Sequence, residues 1–223
     1  MRVRAQAETG AGLALGLLGQ DDVPEVVRIH QAAFPSHFLT SLGRRFLEAY
    51  YRALSRSPLG LGVVARSADE VVGFVAGFQE PGAFYRELRR RWWPGFLAAC
   101  WPQILGRPRM LVRLAGRARL PRACPTAPGT VVLSSLAVRP SGQGGGLGRR
   151  LVVEFLDLSR ARGGRLVTLG TRGSDAGAAE FYTRLGFRLA RQAPAGGDVV
   201  YEFHYYLDGE PGAGAGARRQ AGV

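Results

Sequence analysis

The residues best suited to chemistry form one run, Gln143-Gly144-Gly145-Gly146-Leu147-Gly148, entered through Leu136-Ala137-Val138-Arg139-Pro140 and left through an amphipathic stretch from Arg149 to Arg162. This pattern predicts a strand, a turn made almost wholly of glycine, and a helix. Such a turn gathers several backbone N–H groups with no Cβ in the way, at the positive end of a helix dipole, and so can hold a pyrophosphate. The neighbouring residues exclude one familiar phosphate loop and weaken a second. A Walker loop ends in Gly-Lys-Ser/Thr, whereas Gly148 is followed by Arg149-Arg150 and the chain contains no lysine. A dinucleotide fingerprint needs an acidic residue after the next strand, and the strand expected at 166–169 runs into Gly170-Thr171-Arg172.

A second block follows at Asp175-x-x-Ala178-x-x-Phe181-Tyr182-x-x-Leu185-Gly186-Phe187. Ser174 or Asp175 can cap a short helix. Ala178, Phe181, Tyr182 and Leu185 recur at helical spacing, and Gly186 supplies a left-handed stop before a strand. Gln-x-x-Gly-x-Gly preceded by Leu-x-Val-x-Pro resembles the acetyl-CoA-binding motif of the GNAT acyltransferase superfamily. The second block is similar to that superfamily's Asn-x-x-Ala-x-x-Phe-Tyr-x-x-Leu/Lys-Gly-Phe signature. The resemblance covers residues 13–80 and 130–206 and is most specific over 133–187.

The resemblance implies an α/β fold with a mixed, mostly antiparallel sheet flanked by helices, splayed between the two central strands at 130–138 and 166–170. Pantetheine lies in that splay. Leu136, Ala137 and Val138 would bind the cofactor, Leu136 and Val138 through backbone groups, with the Leu136 N–H polarising the thioester carbonyl. Gln143, Gly144, Gly145, Gly146, Leu147 and Gly148 would hold the pyrophosphate, with Arg149 neutralising phosphate charge. Asp175 and Ala178 fall at further cofactor positions, although Asp175 stands where the family has asparagine and a helix cap suits a carboxylate better. Tyr182 would protonate the departing CoA sulfur; the alternative is an aromatic pair with Phe181 buried under the sheet. Where many relatives place a glutamate base, this chain has Val132-Leu133-Ser134-Ser135. Glu80 is the best remaining carboxylate for the base, followed by His30, His37, Glu202 and His204.

Positioning these residues requires the rest of the domain. Leu13 to Leu18 reads as a first strand. Asp21-Asp22 with Pro24 opens a helix through Phe34, and Ser36 or Thr40 starts a second whose stripe is Leu42, Phe46, Leu47, Tyr50, Tyr51 and Leu54. Residues 61–66 and 71–79 form a hairpin about Ser67-Ala68-Asp69-Glu70. Strands at 130–138, 166–169, 187–192 and 199–206 complete the sheet. Residues 1–208 are expected to form one domain and 209–223 a flexible Gly/Ala tail.

At 223 residues, 46% hydrophobic and 21% charged, the chain can bury a full core. No apolar run is long enough to span a bilayer and nothing marks the start for export, which points to a cytoplasmic protein. Cys100 and Cys124 lack metal-ligand spacing and read as reduced thiols, so no metal is expected. The formal charge of +13 is concentrated. Ten arginines and one acid, Glu87, lie in an interruption at 81–128 that also holds Phe84, Tyr85, Trp92, Trp93, Phe96 and Trp101. Prolines divide it into short, mainly helical pieces. It reads first as a lid over an anionic acceptor, next as a packing element, and last as a membrane-surface patch. No nucleic-acid reading motif accompanies the charge. The expected activity is acetyl transfer from acetyl-CoA to an amine of a small molecule, such as an amino sugar, in a ternary complex. A protein amine as acceptor, a non-catalytic acyl-CoA sensor or scaffold, and a homodimeric state stay open.

Overall fold

The computed structural model describes residues 12–92, 94–96, 99, 127–195 and 198–209. Seven strands form one sheet: β1 (Leu13–Leu17), β2 (Gly60–Ser67), β3 (Glu70–Gln79), β4 (Thr130–Val138), β5 (Leu166–Arg172), β6 (Arg188–Ala195) and β7 (Asp198–Tyr206). Their order is β1-β2-β3-β4-β5-β7-β6. Every neighbouring pair is antiparallel except β4 and β5. Helices α1 (Val23–Ala33), α2 (Phe38–Ser41), α3 (Arg44–Arg56) and α4 (Pro81–Glu87) precede β4; α5 (Leu147–Ala161) connects β4 to β5, and α6 (Ala176–Arg184) connects β5 to β6.

The two faces of the sheet carry separate cores. Val131, Leu133, Val167, Leu169 and Phe203 pack with Leu151, Phe155 and Tyr182 under α5 and α6. Phe74, Ala76, Phe78 and Ala137 pack with Val26, Val27, Leu47, Tyr51 and Leu54 from α1 and α3. This division follows from strand alternation, since successive side chains point to opposite faces. It therefore fixes which residues of β4 and β5 face which helices. The β2–β3 hairpin turns at Ala68 and Asp69 with φ of 47° and 65°. Positive φ at both central residues matches the twist of the flanking strands.

Helix α1 opens at Asp22, as expected, although its side chain makes no capping bond: Oδ2 accepts from the Gly19 N–H at 2.8 Å, and the carboxylate takes the Arg66 guanidinium at 2.7 Å. Two local expectations change. The single helix expected after Ser36 is divided, because Gly43 adopts φ 91° between α2 and α3. Strands β5 and β6 run further than their sequence patterns suggested. Of the arginine-rich interruption, α4 and a π-helical turn at Leu88–Trp92 are described. Cys100, Cys124, most of 93–126 and the tail from 210 onward lie outside the described residues. Among the described residues no helix is long and apolar enough to cross a membrane.

Candidate active site

Strand β4 pairs with β5 only at Thr130, Val131 and Val132, opposite Leu166, Val167 and Thr168. On its other side β4 stays paired with β3 as far as Val138 opposite Gly73, and β5 stays paired with β7 as far as Arg172 opposite Val200. The sheet therefore opens between its two central strands from Leu133 and Leu169 onward. Backbone N–H and C=O groups alternate in direction along a strand, so those facing this opening lack a ladder partner in the middle of a sheet. An extended ligand with amide groups would satisfy them. Leu136 and Val138 pack their side chains beneath α5, and Ala137 packs on the α1 face.

The opening leads to the glycine run. After β4 the chain makes a 3-10 turn at Pro140–Gly142, and the Gln143 side-chain amide donates back to the Val138 carbonyl at 3.1 Å. Gly144 and Gly146 have φ of 83° and 73°, and a Cβ at either would meet no protein atom within 4 Å. The turn thus needs glycine for its backbone and leaves free space above it. The Arg150 N–H bonds the Gly146 carbonyl at 3.1 Å, leaving the N–H groups of Leu147, Gly148 and Arg149 without an intrahelical acceptor. These donors, the dipole of a 15-residue helix and the exposed Arg149 fit a pyrophosphate.

The second block meets the first in space. A Cβ on Gly148 would lie 3.5 Å from the Phe181 ring. Asp175 caps α6, its Oδ1 accepting from the Ala178 N–H at 3.0 Å, so this carboxylate and this N–H satisfy each other. Tyr182 is 7% exposed and makes edge contacts with Phe181 and Phe187. Burial first, and the Asp175 charge second, push its phenol well above the usual range, so it stays protonated at neutral pH. Thr171, two residues beyond Leu169 and hence on the same face, has a buried Oγ1 with no hydrogen-bond partner. Sequence reading passed over it, although the alternation Val167, Leu169, Thr171 places a hydroxyl on the wall of the opening.

On the α1 face β4 carries a bulge. Ser135 pairs with Ala76 and Leu133 with Gly77, leaving Ser134 unpaired in the ladder. Ser134 donates to the Ala76 carbonyl at 3.0 Å and accepts from the Tyr50 hydroxyl at 3.2 Å. Burial raises the Tyr50 phenol to about 12 despite that contact. Beside it, Tyr51 interacts with Ser135 and lies 2.7 Å from His30 Nδ1. His30 is fully buried, and burial, aided by the neighbouring His37, lowers its pKa to about 4.

That value carries a stability prediction. The unfolded chain binds a proton on this residue near pH 6.5, whereas the folded chain resists it until about pH 4. The contribution of neutral His30 is therefore complete above pH 6.5 and is lost as the pH falls through that window. Its full size is about 3 kcal/mol. Denaturant unfolding at pH 7 and pH 4.5 should show a smaller loss for His30→Asn than for wild type. Equal losses would mean that His30 titrates normally in the fold.

Comparison with known proteins completes this picture. Residues 23–187 match the acetyltransferase (GNAT) family. The chain belongs to that family. No curated protein matches the sequence. Among solved structures, a GNAT-family protein from Desulfovibrio desulfuricans is 20% identical with a TM-score of 0.60, covering 87% of this chain and 99% of its own. The Salmonella typhimurium protein yncA, solved with its cofactor acetyl-CoA, is 18% identical with a TM-score of 0.57, covering 91% and 98%. A ribosomal-protein-alanine N-acetyltransferase from Brucella melitensis is 15% identical with a TM-score of 0.56, covering 86% and 98%.

The structure separates the residues considered as proton acceptor. Glu80 sits in the left-handed region with φ 49°, its N–H bonded to the Thr130 carbonyl. Its Oε1 accepts from the Gly129 N–H at 2.7 Å. It lies at the closed end of the splay, about 13 Å along β4 from Ser134. This carboxylate ties β3 to β4, away from the opening. His30 is buried behind Tyr51, and His37 packs its ring 6.0 Å from that of His30. Glu202 and His204 lie on β7, next to β5, with His204 Nε2 and Glu202 Oε1 3.0 Å apart. Among the described residues no group of three His, Cys, Asp or Glu side chains could hold a metal ion.

Proposed function

We propose that this protein acts in the cytoplasm and transfers an acetyl group from acetyl-CoA to an amine of a small-molecule acceptor, by direct attack within a ternary complex. The observation that carries the reading is the continuity of an unpaired central gap with a glycine cradle at a helix N-terminus. When bound, acetyl-CoA supplies the activated acyl group. The backbone from Leu136 to Val138 would align the pantetheine arm, with the Leu136 N–H aimed at the thioester oxygen as negative charge develops there. The N–H groups from Gln143 through Gly148, with Arg149, would fix the pyrophosphate. Tyr182 holds a proton beneath the gap for the departing sulfur. A panel of amino sugars, amino acids and alkyl amines, assayed for CoA release, tests this reading. Tight CoA binding without turnover on any of them would favour a sensor or scaffold, and turnover on peptide N-termini alone would move the acceptor class to protein.

The described arginines bear on the acceptor. Arg86, Arg90 and Arg91 line a recess of about 340 Å³ with Ala83 and Glu87. Because α4 begins after Glu80, this recess lies toward the closed end of the splay and not over the cradle. An acceptor with an anionic group would place that group here. Replacing the three arginines by glutamine should then raise the acceptor KM by about tenfold or more while CoA affinity holds, because only one substrate loses charge-assisted contacts. Unchanged acceptor kinetics, with no binding of wild type to anionic vesicles, would leave the segment as packing; vesicle binding lost in the variant would make it a membrane contact.

A further inference from the structure

The reaction proposed above needs a group that takes a proton from the attacking amine, and β4 carries no carboxylate at its bulge. The other wall of the opening supplies one. The last paired residues of the central strands are Val132 and Thr168. Two positions further along stand Ser134 on β4 and Gly170 on β5. Gly170 pairs directly with Glu202 of β7, and Thr168 with His204. Val167, Leu169 and Phe203 belong to the core under α5 and α6, so by alternation Gly170, Glu202 and His204 present to the opposite face. That is the face on which Ser134 meets Tyr50.

Gly170 leaves this row open. A Cβ there would have Val200 Cγ1, at 3.5 Å, as its nearest contact, and nothing else within 4 Å. Across the sheet the row therefore runs from Ser134, over the gap, over bare backbone, to a carboxylate one strand spacing of about 4.8 Å beyond Gly170. The Glu202 side chain is 21% exposed, partly desolvated but still reachable. Oε1 lies 3.0 Å from His204 Nε2, and Oε2 lies 3.8 Å from Arg191 Nε on β6. Two neighbours thus fix its orientation. Arg188 of β6 pairs opposite His204, and the Tyr206 ring meets the imidazole edge-on.

We infer that the Glu202–His204 pair is the proton acceptor of the transfer, reached across Gly170 directly or through one water. This rests on the acetyl-transfer reading. The acceptor ammonium first gives one proton to the Glu202 carboxylate, held in place by His204. The neutral nitrogen then bonds to the thioester carbonyl carbon, the C–S bond breaks and the Tyr182 O–H proton passes to the sulfur. The second N–H proton reaches the Tyr182 phenolate through solvent and Glu202 releases its proton to bulk water, which closes the cycle. Tyr182 lies under α6 and Glu202 on the other face, so nucleophile and leaving group are served from opposite sides of the sheet.

The test compares two probe amines at pH 7 under saturating acetyl-CoA, with CoA release as the readout. Ethylamine is almost wholly ammonium at that pH and must lose a proton, whereas aniline is already neutral. Glu202→Gln should slow the ethylamine reaction on the order of 10²–10⁴-fold and leave aniline within a few-fold, with CoA affinity unchanged. Gly170→Val, which keeps the Glu202–His204 contact but walls it from the gap, should show the same selective loss. A misfolded variant would lose CoA binding or both probes alike, so the selectivity is what matters. Equal losses on both probes, or none, in folded variants that bind CoA would overturn the assignment of Glu202. A wild type that binds acetyl-CoA but releases CoA with neither probe nor any panel amine would overturn the transfer reading, and this assignment with it.

Discussion

Replacing Gly146 by valine should abolish the CoA-dependent rise in melting temperature expected of the wild type. A ligand at one hundred times its Kd, bound only to the folded state, adds about 2.7 kcal/mol of stability. For a chain of this size that is a shift of roughly 5–10 °C. Gly146 has φ 73°, so a β-branched residue there forces the turn to a different backbone path. The strain lowers the melting temperature of the free protein, but the larger consequence is that the N–H groups no longer converge. Gly145→Val separates the two effects, because Gly145 is outside the left-handed region and a Cβ there also meets open space. It should fold normally and still bind CoA poorly, since its side chain would occupy the room a phosphate needs. An undiminished CoA response in a folded Gly146→Val protein would remove phosphate binding from this turn.

The glycine turn was legible in the sequence because its requirement is local. A backbone at positive φ is written most readily with glycine, and Gly144 and Gly146 are such positions, with open space above both. The cap of α6 by Asp175 was legible for the same reason, since capping is decided within three residues. The hairpin and the two-faced alternation of β3, β4 and β5 likewise follow from short-range pattern. Long-range pairing was not legible in this way. That Ser134 is unpaired, or that Gly170 stands beside Glu202, depends on register between strands distant in sequence, which no local pattern specifies. The same limit applies to Glu80. From the sequence it is a carboxylate at the end of a central strand, but in the fold that end is the closed one, where its Oε1 secures the Gly129 N–H. Asp22 shows the converse, since a good capping residue was drawn away by a tertiary partner, Arg66.

Tyr182→Phe should leave CoA affinity intact and lower acetyl transfer by on the order of 10²–10⁴-fold. The substitution removes one oxygen from an aromatic cluster with Phe181 and Phe187, so the packing of α6 on the sheet should survive. Burial and the Asp175 charge hold the phenol above its ordinary range. The phenol therefore carries its proton at neutral pH, but the raised pKa makes it a weaker acid than a thiol, so burial works against the transfer and not for it. The loss should fall on kcat and on kcat/KM together, because the proton is needed only as the C–S bond breaks. Single-turnover measurement of the bound acetyl group must accompany steady-state rates, since slow product release would mask a slower chemical step. A Tyr182→Phe protein that matches wild type in single turnover on an accepted amine would make Tyr182 a packing residue. Cleavage would then have to proceed with the sulfur leaving as thiolate, stabilised by the backbone of the opening alone.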